Sequence, residues 1–243
     1  MNPFGTTISR RSFVSQAAAG IAALGVASEA LQAAHAQLVW KGSQWKLAEF
    51  HKLVNDPASL KQVYDVSQIN GGKFLNSIKN SLNGLRFGFD VPKEKIKIVA
   101  ALHGPANMIN YDDFIWNKYR IGEWLNVPDP STGKPAVRNI YYGAKHPLDA
   151  ASWDKDPSDR DSAFQDTSVE ALRARGVQFL SCHTATEEQA RMLVERNQLT
   201  QSPEDIVTEM LAHTMPGTLV VASMVAAVAL LQAEGRYTYI TVA

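Results

Sequence analysis

From residue 60 onward the chain alternates two kinds of hydrophobic pattern. Leu60-Lys61-Gln62-Val63-Tyr64-Asp65-Val66 alternates apolar and polar side chains and predicts a first strand. Gln68 to Gly72 is turn material. Phe74, Leu75, Ile78, Leu82 and Leu85 then recur at helical spacing and predict a helix over 73–86. Lys95 to Leu102 is nearly continuous in apolar residues, as in a strand covered on both faces. His103-Gly104-Pro105 breaks it, and an aromatic-rich helix is expected around 107–125. Residues 126–165 hold five prolines among Asp, Lys and Ser and read as irregular, with Val137 to Tyr142 as a candidate short edge strand. Regular structure resumes with a helix at 168–176, a third strand at Val177 to Ser181, and helices at 186–196 and 203–211. The second of these opens on Ser202-Pro203, a cap followed by proline at the first helical position. A fourth strand over 218–222, a helix over 224–234 and a fifth strand over 237–242 end the chain.

Strands alternating with helices predict an α/β fold with a five-stranded, parallel, doubly wound sheet. Right-handed crossovers most simply give the strand order 2-1-3-4-5. The α/β domain then covers 60–243, with an inserted irregular segment at about 113–165. Residues 37–59 carry Trp40, Trp45 and Phe50 with little periodicity and read as an arm that packs on the body or on a neighbouring subunit.

The first 36 residues read as a targeting segment outside the fold. Ser9-Arg10-Arg11-Ser12-Phe13-Val14 resembles the twin-arginine export motif. A mildly apolar, Ala- and Gly-rich stretch follows from Ala17 to Leu31. Ala34-His35-Ala36 supplies a small-x-small site for cleavage between Ala36 and Gln37. The expected partner of this segment is the twin-arginine translocase, and the expected location of the mature chain is the periplasm.

Composition narrows the function classes. The chain carries 24 basic and 24 acidic residues, without the basic excess of a nucleic-acid binder. No span is expected in the mature protein, because no later window is long and apolar enough. A single cysteine, Cys182, excludes an internal disulfide and a multi-cysteine zinc site. No Ser-His-Asp pattern, paired carboxylate motif or nucleotide loop marks a hydrolase or dehydrogenase, and no cofactor is indicated.

Several stretches carry a family resemblance. They are Val63-Tyr64-Asp65-Val66, Asn76-Ser77-Ile78-Lys79-Asn80-Ser81-Leu82, and Lys97-Ile98-Val99-Ala100-Ala101-Leu102-His103-Gly104-Pro105. Near the C-terminus they are Val177-Gln178-Phe179-Leu180-Ser181-Cys182, Pro216-Gly217-Thr218-Leu219-Val220-Val221, and the run from Leu230 to Ile240. In this order they resemble the DsrE/DsrF-like family of small sulfur-relay proteins, over roughly 60–110 and 166–243. The resemblance implies a flavodoxin-like layered fold, assembly as a homotrimer or homohexamer, and a cysteine after a central strand that takes sulfur from a small donor as a persulfide. Cys182 falls at that position. The relay members are cytoplasmic and lack the insertion, so this chain departs from them in its leader and its length.

In open α/β sheets ligands bind beyond the carboxyl ends of the strands. The loops expected there carry Asn70 and Gly71 after strand one, His103 after strand two, Cys182 and His183 after strand three, and Ser223 after strand four. The order 2-1-3-4-5 would place Cys182 against the Asn70-Gly71-Gly72 turn. Thr184-Ala185-Thr186-Glu187-Glu188 reads as a helix start with Thr184 as cap, which makes Cys182 an accessible thiol near a helix N-terminus; the alternative is a thiol buried as a small apolar packing residue. Two other classes stay open. One is a noncatalytic oligomeric module that binds a ligand or partner through the insertion. The other is a soft-metal protein built on Cys182, His183 and His103.

Overall fold

The computed structural model describes residues 39–242. The leader, with Arg10, Arg11, Ala36 and Gln37, lies outside the described residues.

Five parallel strands form one sheet: β1 (Leu60–Val66), β2 (Ile96–Leu102), β3 (Gln178–Cys182), β4 (Leu219–Val221) and β5 (Thr238–Thr241). Their order is β4-β3-β2-β1-β5, not 2-1-3-4-5. The reason lies in β2. Its run Ile98-Val99-Ala100-Ala101-Leu102 is buried on both faces, and an edge strand would leave half its backbone and part of that apolar surface unpaired. β2 therefore takes the centre, paired along its length with β1, from Leu60 opposite Ile96 to Val66 opposite Leu102, and with β3 on the other side. The largely exposed Thr238-Tyr239-Ile240-Thr241, of which only Ile240 is half-buried, and the three-residue β4 take the edges.

Handedness then assigns the faces. Stepping from β1 through β4 in one direction puts three successive crossovers on one face. They are α2 (Lys73–Asn83), α6 (Val169–Ala174), and the pair α7 (His183–Asn197) and α8 (Pro203–Ala212). Their buried residues Ile78, Leu172, Leu193 and Met210 pack with Tyr64, Ala100 and Phe179 of the sheet. The return from β4 to β5 runs along the other face as α9 (Met224–Ala233), beside α1 (Leu47–Val54). Here Phe50, Leu53, Met224, Ala227 and Leu231 pack on Val63, Val99, Ala101, Leu180 and Val221.

α1 lies in the segment that read as patternless. Its two turns bury Phe50, Leu53 and Val54 at helical spacing, a stripe too short to stand out among neighbouring polar residues. The Tyr237 hydroxyl donates to the Leu53 carbonyl at 2.8 Å and ties it to the body.

Two further expectations change. The aromatic helix divides into a 3-10 segment Gly104–Asn110, then α3 (Asp113–Lys118) and α4 (Ile121–Trp124), because Arg120 adopts a left-handed conformation with φ 54°. Val137 to Tyr142 forms turns, not an edge strand. After α4, the regular structure of the insertion among the described residues is a single-turn α5 (Ala150–Trp153) and a 3-10 turn at Ala163–Gln165.

Gly122 shows how the insertion packs on itself. A Cβ there would lie 2.1 Å from the Ala136 carbonyl oxygen and 2.5 Å from its nitrogen. The contact is backbone against backbone, closed by Val127 N–H donating to the Gly122 carbonyl at 2.8 Å. Gly122→Ala is expected to lower stability by about 1–3 kcal/mol by forcing these strands of chain apart. Urea denaturation checks this; an unchanged midpoint would contradict the close approach.

Candidate functional site

β3 carries the central residues by simple alternation. Phe179 and Ser181 face the α7 side, and Leu180 and Cys182 face α9. Cys182 ends the strand and is also the N-cap of α7, so Thr184 lies inside the first turn rather than capping it. The Thr184 hydroxyl instead meets the Cys182 Sγ at 3.0 Å. The Met224 N–H, the first of α9, donates to the same sulfur at 3.4 Å.

That meeting has a topological cause. The connection leaving β3 goes to one face and the connection leaving the neighbouring β4 goes to the other. Adjacent strands whose exits diverge open a crevice at their carboxyl ends, the usual ligand position in such sheets. In this fold that crevice lies between β3 and β4, and the sulfur lies where α7 and α9 begin.

The thiol is not accessible as expected. Cys182 is 3% exposed and belongs to the apolar cluster under α1 and α9. Its side chain is the last inward-facing one of β3, and the first turn of α9 closes over it.

His183 is buried as well. Its ring stacks on Trp40 with centroids 3.9 Å apart and 19° between planes. Its Nδ1 lies 3.6 Å from Glu187 Oε1, one turn along α7 and beyond hydrogen-bond length. Burial pushes the imidazole below its ordinary value of 6.5, so the neutral ring is favoured.

His103 follows Leu102, which pairs with Ser181, so His103 and Cys182 stand at one level on neighbouring strands. The imidazole is engaged elsewhere. Its Nε2 lies 2.9 Å from Asp65 Oδ1 on β1, and the Tyr239 hydroxyl of β5 donates to Asp65 Oδ2 at 2.6 Å. The hydrogen bond with His103, reinforced by Tyr239, holds the Asp65 carboxyl below the usual carboxylate range.

Asn70 and Gly71 do not meet the thiol, because β2 stands between β1 and β3. Asn70, Gly71 and Gly72 form a left-handed turn with φ of 42°, 64° and 77°. Asn70 and Gly71 line a separate pocket of about 330 Å³ with Pro105, Asn126, Val127 and Tyr141. Ser223 is at the crevice as the N-cap of α9, though its side chain makes no capping bond. The structure thus gathers Cys182, His183 and Ser223, pairs His103 with Asp65, and places Asn70 and Gly71 apart. Among the described residues no group of three metal-ligating side chains comes together. No helix among them is long and apolar enough to cross a membrane.

The residue that sequence reasoning missed is Asn107. Its fully buried carboxamide oxygen accepts from the Cys182 N–H at 3.0 Å and the Ser181 hydroxyl at 2.9 Å. Its amide nitrogen donates to Gln189 Oε1 at 3.1 Å and to Tyr111 and Thr186 hydroxyls at 3.2 Å each. The available signal was a pair of asparagines, Asn107 and Asn110, inside an otherwise apolar stretch from Ala106 to Tyr111. Buried amides of this kind need partners and so mark a network.

Compared with protein-family models, with curated proteins and with solved structures, the chain matches none.

Asn107→Ala would orphan the Cys182 N–H and the Gln189 Oε1 in the interior. The expected loss is about 1–3 kcal/mol of stability, the cost of buried polar groups left unpaired. Denaturant titration measures it, and hydrogen exchange at the Cys182 amide should accelerate. A neutral substitution would show that the network is not needed to hold this edge.

Proposed function

We propose that the chain is an exported sulfur-handling protein that holds sulfur on Cys182. The observation that carries this reading is the pair of polar groups on the sulfur, the donating Met224 N–H and the Thr184 hydroxyl, at the one place where the connections diverge. A sulfur bearing negative charge accepts both bonds, and aligned helix N-termini favour an anion. The DsrE/DsrF-like resemblance supports the reading through the placement of Cys182 after a strand. The strand order does not follow the flavodoxin pattern, so support rests on the residues around the thiol.

The transfer is an exchange. The Cys182 thiolate attacks the outer sulfur of a small persulfide, R–S–SH. A new S–S bond forms as the donor's S–S bond breaks, and the donor leaves as the thiol R–SH after taking up the proton. Electrons balance without an added oxidant. Because the thiol is buried, the donor reaches it only when the first turn of α9 moves. The resting cover then protects a lone thiol from the oxidation it would otherwise meet beyond the membrane.

Assembly as a homotrimer or homohexamer belongs to the same proposal. α9 buries Met224, Ala227, Val228 and Leu231 against the sheet, yet its outer side presents Val225 at 75% exposure and Leu230 at 39%. A helix apolar all round calls for cover on more than one side. The binding-module reading finds its own observation in a cavity lined by Trp153 and Phe164 of the insertion. The soft-metal reading has none, since His103 is bonded to Asp65 and His183 lies against Trp40.

Native mass measurement tests thiol and assembly together. After incubation with a small persulfide donor, each chain should gain the mass of one sulfur atom, lost again on reduction, within a trimer or hexamer. Cys182→Ala should gain none; alanine is chosen because serine would bury a hydroxyl. A wild-type chain that stays unmodified refutes the carrier reading, and a monomer refutes the assembly.

Export should depend on Arg10 and Arg11, the paired charges of the leader. Changing both to Lys is expected to leave precursor in the cytoplasm. Undiminished periplasmic accumulation of that variant would remove the twin-arginine assignment.

A further inference from the structure

At the opposite end of the sheet, where β2 begins and β3 is about to begin, lies a cavity of about 430 Å³. Its apolar walls include Leu82, Ile96, Trp153 and Phe164, and its charged lining includes Arg86 and Arg175. Both guanidiniums approach the Phe164 ring, Arg86 at 5.1 Å from the centroid and Arg175 at 5.3 Å. Trp153 meets the same ring edge-on at 5.0 Å. Lys93 also lines the space, and Asp154 is its one acidic residue.

Among the described residues no carboxylate pairs with either arginine at ion-pair distance. Arg175 hydrogen-bonds only neutral acceptors, Asn83 Oδ1 at 2.7 Å and the Phe164 carbonyl at 3.4 Å. Its guanidinium is lowered to about 10 by burial and by the charge of Arg86. Lys79, bonded to Gln165 close by, is lowered by burial and by the charge of Arg175. Two like charges gathered at a partly apolar cavity, with no anion among their contacts, are costly unless something negative enters. Arg86 belongs to a π-type turn, Gly84–Gly88, a rare geometry concentrated at functional positions.

We propose that this cavity binds a small organic anion, a phosphate monoester with an apolar, aromatic-sized body. The phosphate would lie on the forks of Arg86 and Arg175, whose planar donors suit bidentate oxyanion contacts. The body would lie against Trp153, Phe164, Leu82 and Ile96. The sulfur chemistry of Cys182 plays no part in this site, since the thiol lies at the other end of the strands.

Phenyl phosphate is the probe, titrated into the full chain by calorimetry. Saturable binding is expected, with inorganic phosphate weaker and phenol at the same concentration showing none. Arg86→Gln should weaken phenyl phosphate at least about tenfold, the loss of one charge-assisted contact, while Arg86→Lys retains part of the affinity. Unliganded Arg86→Gln should unfold at the same temperature as the parent or higher, because a repulsion is relieved. Lys93→Gln, at an exposed position, is a second variant expected to weaken binding by about threefold. No saturable binding to the parent chain, equal affinity in Arg86→Gln, or phenol binding as well as phenyl phosphate would each overturn the proposal.

Discussion

One buried carboxamide holds the carboxyl edge of the sheet together at β3. Asn107 leaves the loop after β2, reaches under the end of β3 and bonds both Ser181 and Cys182, while its other end engages Thr186 and Gln189 of α7. Gln189 Nε2 in turn donates to the Gly104 carbonyl, closing the circuit back to the loop. The Tyr111 hydroxyl and Thr186 Oγ1, 2.6 Å apart, complete the floor, and Thr186 donates to the Cys182 carbonyl. Apart from the half-buried Gly104 every member is buried, so each bond is strong and each omission costly. The backbone at Cys182 is therefore fixed from below, and only its side chain faces the crevice.

Elements with strong periodicity were legible in the sequence. β1 was read with its observed bounds, and β2, β3, β4, α2, α8 and α9 within a few residues, because their apolar spacing matches the side of the sheet they cover. The all-parallel sheet followed from alternation alone. Strand order was not legible from spacing, since local pattern specifies faces and not neighbours. The one clue lay in β2 itself, whose unbroken run from Ile98 to Leu102 suits a central strand and not the edge that 2-1-3-4-5 would give it.

The site was partly legible for the same reason. Cys182, His183 and Ser223 could be placed at one edge because residues after a strand end collect there, whatever the order. Which of them touch depends on order, and so the expected meeting of Cys182 with Asn70 and Gly71 failed once β2 came between. Burial of the thiol was not decided by the sequence either. It comes from α9 crossing from one edge of the sheet to the other, about 19 Å at ordinary strand spacing, so that its first N–H lands on the sulfur. Trp40 over His183 was beyond reach, because a residue without periodicity gives no hint of its target.

The insertion follows from a constraint of parallel sheets. A chain leaving the carboxyl end of β2 must return to the amino end of β3, so any added segment travels the length of the sheet. Its early part docks near the carboxyl end, where Tyr141 packs over Gly72, a position at which a Cβ would lie 2.9 Å from the ring. The carbonyls of Tyr141 and Tyr142 then accept from Val169 and Glu170, fastening the segment to the start of α6. Its later part reaches the amino end and brings Trp153 and Phe164 onto Arg86 and Arg175. Asn83 donates to the Phe164 carbonyl at 3.0 Å while accepting from Arg175, so one side chain joins α2, the insertion and α6. A purely structural clasp needs that asparagine and one arginine. The second arginine adds repulsion and no hydrogen bond to the protein among the described residues, which is the physical reason to look for a negative ligand there rather than for a tighter fold.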